Sequence, residues 1–397
     1  MTTLTYNNFT FQDKNDKVRV LFLKIYYFYL NKNELKKLGL TLVQRHSLEF
    51  SSDKKEGNIK QKFEFLLSKG FDNMVSTINN KPALYIHKNS GIPLLGSGDF
   101  GIIDRGTNTI EVKPITTCNI DCIFCSVDHD KRNSDIIVEA DYLVEELNKV
   151  IELKENKVNI HIGSQGDPSL YGDLVRLVRL IRKNKQVNAI SMVTNGLLIT
   201  PTIAKELINA GMTHFHVSLH SLDEEKADEL ANTKYPVKKI VKLCKYLVKH
   251  SHLLIVPVWV HSINDKDIID VIKFSKEIGA DIGIQNFLEY KFGKHPANPV
   301  PMKVFFAKLK ELEDKLDINL TTLTSDLEFK VDTKLSKPFR KTDIVKVEVK
   351  AKSRMRNSYI CVAQNRVITL INCSHPKNNI KVRLIRDKDN IFTGVPA

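Results

Sequence analysis

Residues 109–130 read TIEVKPITTCNIDCIFCSVDHD, a strand-length run closed by Pro114 and followed by three cysteines, Cys118, Cys122 and Cys125, in the spacing C-x3-C-x2-C. Ile110 and Val112 alternate with polar neighbours, which predicts a strand, and Pro114 ends it. Asn119, Asp121 and Ser126 surround the thiols, and such polar neighbours suit a loop better than a core. Three close thiols have three ordinary readings. They can be small buried hydrophobes, most of a zinc site with His129 as the fourth ligand, or the anchors of a cubane iron–sulfur cluster. In the last case three thiolates hold three irons, and the fourth iron stays open to a small molecule.

The chain beyond the loop decides among them. Strand-length apolar runs recur at 158–163, 189–194, 214–219, 253–260 and 281–287, and segments of helical period lie between them at 138–153, 170–183, 202–210, 237–248 and 267–278. Six strand–helix units predict parallel strands with crossover helices, an α/β partial (β/α)6 barrel of TIM type whose functional residues gather at the carboxyl ends of the strands. The cysteine loop directly follows the first of those strands.

The cysteine spacing, with Phe124 just before the last thiol, resembles the signature of the radical S-adenosylmethionine (SAM) enzymes, and the likeness runs from about Thr109 to Lys315. It implies a [4Fe–4S] cluster on Cys118, Cys122 and Cys125, SAM bound at the open iron, a 5′-deoxyadenosyl radical, and an electron donor such as a ferredoxin or flavodoxin. Gln165-Gly166-Asp167-Pro168 is similar to that family's Gly-Gly-Glu-Pro, with Gln165 in place of the first glycine and the shorter Asp167 in place of glutamate. By resemblance, Asp167 binds the amine of SAM, while Phe124, Gln165, Gly166, Asn195, Ser218, His220 and Gln285 shape its pocket. The side chain that handles the substrate is left unassigned.

Charge separates the ends from the middle. Lys and Arg number 15 against 9 Asp and Glu in residues 1–100, 30 against 32 in 101–330, and 15 against 5 in 331–397. A tail of that sign is an electrostatic footprint for a polyanion. Short strands at 344–350, 358–363, 367–371 and 380–385 predict a small barrel of the oligonucleotide-binding kind. VKVEVKAKS, NRVITLIN and VKVRLIRDKDNIFTG resemble a TRAM domain, which implies RNA contacts from Lys350, Lys352, Arg354, Arg356, Lys381, Arg383 and Arg386 and a tRNA or other RNA base as substrate. Two other functions are open: a radical reaction on a peptide or small metabolite with the tail as a lid, and a non-catalytic, redox-sensing nucleic-acid-binding protein.

The expected organisation is an N-terminal accessory region (1–100), the radical SAM barrel (101–325) and a basic C-terminal barrel (340–397). In the first of these, 31–40 and 60–69 have helical composition, and 91–101 reads as a glycine-rich linker. No run approaches the roughly 18 apolar residues of a membrane span, and 42% hydrophobic with 27% charged residues suits a soluble, cytoplasmic protein. Cys244 reads as a buried side chain, and Cys361 and Cys373 as core positions of the small barrel or, by the radical SAM resemblance, as a radical-relay or methyl-carrying thiol.

Overall fold

The computed structural model describes residues 1–53, 55–321, 327 and 329–397. Six parallel strands form the centre: β1 (Thr109–Lys113), β2 (Val158–Ile162), β3 (Val187–Thr194), β4 (His214–Val217), β5 (His252–Ile255) and β6 (Asp281–Ile282). They lie side by side in chain order, and an antiparallel strand, Gly101–Asp104, borders β1. The sheet therefore curls without closing, a partial barrel as the strand–helix alternation predicts. Ile110, Val112, Ile160, Ile162, Ile190, Met192, Phe215 and Val217 form its buried apolar face. The register sets Glu111, His161, Ser191 and His214 in one row of the opposite face.

Helices α1 (Ala140–Ile151), α2 (Leu174–Arg182), α3 (Pro201–Ala210), α4 (Glu224–Ala231), α5 (Val237–Leu247), α6 (Asp265–Ile278) and α7 (Met302–Leu316) follow the strands. Helix α3 shows how local sequence sets the boundaries. The Thr200 hydroxyl accepts the Ile203 N–H at 3.2 Å, Pro201 occupies the first turn, and Gly211 ends the helix at φ 115°, where a side chain would be strained. Helix α4 lies outside the five helical segments expected from sequence. Its polar EEKADELA buries only a narrow Ala227, Leu230 and Ala231 stripe.

The first hundred residues contain more strand than expected. Phe9–Lys14, Lys17–Phe22 and Tyr26–Asn31 form an antiparallel meander. Its first hairpin turns through Asn15 at φ 40°, a conformation that Asn tolerates well. The helix expected over 31–40 covers only Lys32–Lys37, because Gly39 at φ 94° stops it and the chain re-enters a strand at Leu40. Helix Glu56–Phe71 contains the second expected one. The segment 91–101 is no free linker: Ile92 and Leu94 are buried, and a Cβ on Gly96 would stand 2.2 Å from the Val367 carbonyl oxygen.

At the other end β7 (Ile344–Lys352), β8 (Tyr359–Ala363), β9 (Arg366–Leu370), β10 (Asn379–Arg386) and β11 (Thr393–Pro396) close a five-stranded barrel. Gln364 and Asn365, at φ 44° and 54°, make the two-residue turn between β8 and β9. Cys361 is buried in its core, as expected, whereas Cys373 is only partly buried and packs against that core. Cys244 is buried on α5. Ile360 and Val367 belong instead to the apolar core of the large barrel, so the two bodies are joined by packing as well as by chain. The expected boundary at residue 325 lies outside the described residues.

Candidate active site

The loop after β1 is fixed before its first cysteine. Thr116 and Thr117 are fully buried: Thr116 Oγ1 accepts the Ile136 N–H at 2.9 Å, and Thr117 Oγ1 shares a 2.6 Å hydrogen bond with the Tyr26 hydroxyl of the N-terminal meander. Between the cysteines, the N–H groups of Asp121 and Ile123 donate to the Ala231 and Leu230 carbonyls at the end of α4. Lys294 holds the outer side, donating its backbone N–H to the Cys125 carbonyl at 2.9 Å and pairing its ammonium with Asp121 at 2.5 Å. Phe124 meets the His220 ring edge-on, centroids 4.7 Å apart, at the end of β4.

Cys118, Cys122 and Cys125 open onto one cavity of ≈ 430 Å³ at the carboxyl ends of the strands, within the range of roughly 300–1,000 Å³ usual for ligand sites. Burial pushes all three thiols up, Cys122 to about 12, and Lys294 opposes the rise at Cys122 and Cys125. Protonated, buried thiols become ligands only when a metal displaces their protons. Among the described residues no three His, Cys, Asp or Glu side chains are placed to share a single ion. The three thiols open onto one cavity, which is where thiolates that each take a different iron of a cluster would have to stand. The Val127 N–H donates to Cys125 Sγ at 3.4 Å, the kind of hydrogen bond that tunes a cluster. His129 lies away from the cavity wall, so the zinc reading loses its fourth ligand.

The loop after β2 is pressed onto the cysteine loop. A Cβ on Gly166 would stand 2.0 Å from the Thr117 carbonyl oxygen, so only glycine fits, and the Asp167 N–H donates to that same carbonyl at 2.9 Å. Ser164 Oγ links the two loops again, donating to the Ile115 carbonyl and accepting the Gly166 N–H.

Two of the expected residues lie elsewhere, and a third has further partners. The Asp167 carboxylate lines the cavity but already accepts from Ser169 N, Ser169 Oγ, Thr194 Oγ1 and Asn195 N, at 2.5–3.1 Å. It ties the end of β2 to the end of β3. Gln165 is absent from the cavity wall, because its side chain turns back to accept from Arg354 at 2.7 Å. Arg354 itself, expected on an RNA-facing surface, is fully buried.

The other expected pocket residues do line the cavity: Phe124, Gly166, Asn195, Ser218, His220 and Gln285. Asn195 Nδ2 donates to Asn119 Oδ1 at 2.8 Å, carrying the end of β3 onto the cysteine loop. The His220 Nδ1 accepts the Val258 N–H at 3.0 Å, and burial lowers its pKa to about 4. The imidazole is therefore neutral, with its proton on Nε2. Sequence reasoning passed over Tyr235, whose buried hydroxyl donates to the Asn195 and Ser218 carbonyls at 2.9 and 2.7 Å. Tyr235 carries no local motif. Asn286, beside Gln285 in the IGIQNFLEY run expected to close the sixth strand, also lines the cavity; its Nδ2 donates to the Val300 carbonyl and its Oδ1 is buried without a partner.

The sequence profile of the Radical SAM superfamily matches residues 112–275. An uncharacterised protein of Methanocaldococcus jannaschii is 35% identical over 85% of this chain and 86% of its own length. A Pyrococcus abyssi protein named probable GTP 3′,8-cyclase is 26% identical over 65% of this chain and 80% of its own. Among solved structures, Streptococcus suis SuiB bound to S-adenosylmethionine superposes with a TM-score of 0.44 at 16% identity, over 81% of this chain and 72% of that one.

Proposed function

The chain belongs to the radical SAM superfamily, whose cofactors are a [4Fe–4S] cluster and S-adenosylmethionine, and we propose that it begins a radical reaction on a nucleotide substrate at the cavity beside Cys118, Cys122 and Cys125. The observation that carries this reading is the opening of three half-buried thiols onto one cavity walled by the polar ends of the strands. When bound, the two cofactors supply the one-electron chemistry that yields a 5′-deoxyadenosyl radical, which no side chain can provide.

The chain's own residues prepare the site. Cys118, Cys122 and Cys125 would hold the cluster, and Phe124, packed on His220, keeps the third thiol in place. Gly166 brings backbone to the cavity wall where any side chain would collide. His220 presents a neutral N–H donor. Val193, Val258, Phe287 and Leu288 add apolar surface to the wall. Reduction requires an outside electron donor of the ferredoxin or flavodoxin class.

Two observations support a phosphate-bearing substrate. The Pyrococcus relative is named for a reaction of GTP. The C-terminal barrel also sets Lys346 opposite Lys381 and Ile344 opposite Arg383 across β7 and β10, and Lys381, Arg383 and Arg386 are exposed. Like charges held opposite one another favour a solvated face that an anion stabilises. A free nucleotide is the first reading; a nucleotide within RNA, bound along this face, is the second. A lid gains no support, since no residue of 340–397 lines the cavity.

Cluster-loaded protein, reduced anaerobically with SAM, is expected to form 5′-deoxyadenosine, and faster with either GTP or bulk tRNA. Acceleration by GTP alone assigns the free nucleotide, and acceleration by tRNA alone assigns RNA. Stimulation by neither overturns the substrate class.

A further inference from the structure

Arg354 heads the fully buried side chains by volume, yet it comes from the β7–β8 turn of the C-terminal barrel. It crosses into the large barrel and meets both loops of the site from behind. Nη1 donates to Gln165 Oε1 at 2.7 Å, Nη2 to the Thr116 carbonyl at 3.3 Å, and Nε to the Ser134 carbonyl at 3.3 Å. Its charge is matched by Asp135, with Nη2 3.8 Å from Oδ1 and both side chains sealed from solvent. The surrounding backbone is joined too, the Asn133 N–H donating to the Arg354 carbonyl at 2.7 Å while Arg132 and Met355 form a bridge.

Thr116 stands two residues before Cys118, and Gln165 stands immediately before Gly166. One planar guanidinium therefore spans the loop that carries the thiols and the loop that presses glycine backbone against it.

We propose that Arg354 is a positioning residue: through its fork the C-terminal barrel forms the rear support of the SAM site and sets the spacing of the two loops. This rests on the reading of the cavity as that site. The geometry requires arginine. A lysine ammonium is a point charge that can neutralise Asp135 but cannot aim separate donors at Gln165, Thr116 and Ser134. Gln165 gains its reason here, since a glycine at that position would leave Nη1 without its acceptor.

Arg354→Lys keeps the buried charge and removes the fork, and Gln165→Ala removes the partner at the other end. In apoprotein, amide exchange across 114–120 and 163–170 is expected to quicken at least about tenfold in both variants, with 237–247 unchanged, and SAM affinity after cluster loading to fall by a similar factor in equilibrium dialysis. The double variant should be no worse than the worse single one. If Arg354→Lys does not fold, Gln165→Ala alone gives the reading. Loop exchange and SAM affinity within about twofold of wild type in Gln165→Ala overturn the proposal. Wild-type protein that binds no SAM contradicts the proposed function instead, because loop exchange is measured without any cofactor.

Discussion

At the scale of single residues, buried polar groups fix the shape of the site. Asp167 shows it best, because four donors from two strand ends converge on its carboxylate. Asp167→Asn turns one acceptor into an N–H₂ that faces donors, so it should cost roughly 1–3 kcal/mol in urea unfolding of the apoprotein. An unchanged midpoint would mean that this network carries little. Burial also holds His129, His216 and His220 low, to about 4, 3 and 4. Unfolded imidazoles titrate near 6.5, so between that pH and about 4 the unfolded chain binds more protons. Stability from these residues is complete above pH 6.5 and declines as pH falls through this window. Urea midpoints at pH 7 and pH 5 are expected to differ, with the lower one at pH 5; equal midpoints would contradict the burial. The cysteines were legible from sequence because their spacing is local. Arg354 was not: in KSRMRN it resembles its exposed neighbours Lys352 and Arg356, and only the tertiary docking distinguishes them.

At the scale of elements, the strand–helix alternation of the central barrel could be read from the chain because each strand shows a buried apolar face and each long helix an apolar stripe. The N-terminal meander was harder. Its strands alternate, as in Phe9–Thr10–Phe11 and Val18–Arg19–Val20, but Tyr26–Asn31 is nearly all aromatic or apolar and reads as one hydrophobic run. That run packs as a strand whose Tyr26 reaches the cysteine loop. Tyr235, just before α5, joins the ends of β3 and β4 through one hydroxyl. Tyr235→Phe leaves two buried carbonyls short of a donor and should lower unfolding free energy by about 1–2 kcal/mol. Loss of SAM affinity at unchanged cluster content should accompany it, since Asn195 and Ser218 both line the cavity. A variant equal to wild type in both measurements would separate Tyr235 from the site.

At the scale of the whole molecule, the three regions of the chain meet at the cysteine loop: Tyr26 from the N-terminal region, Arg354 from the C-terminal barrel and Lys294 from the segment after β6 all bear on it. Composition suggested a basic module attached to a neutral barrel, and the charge is where the sequence put it. What composition could not show is the packing of Ile360 and Val367 into the large core and the buried Arg354–Asp135 pair. Deletion of 340–397 therefore exposes apolar core and strands a buried carboxylate, and truncated protein should bind SAM at least about tenfold more weakly than the full chain. Undiminished binding would return the barrel to the status of an appendage. The central claim is that three thiols and the adjoining cavity form a radical SAM site, and one measurement tests it most directly: 5′-deoxyadenosine formed by reduced, cluster-reconstituted protein with SAM, for wild type beside Cys122→Ala and Cys244→Ala. Formation by wild type and Cys244→Ala, with none from Cys122→Ala, is the expected result; product from Cys122→Ala, or none from wild type carrying a four-iron cluster, would contradict it.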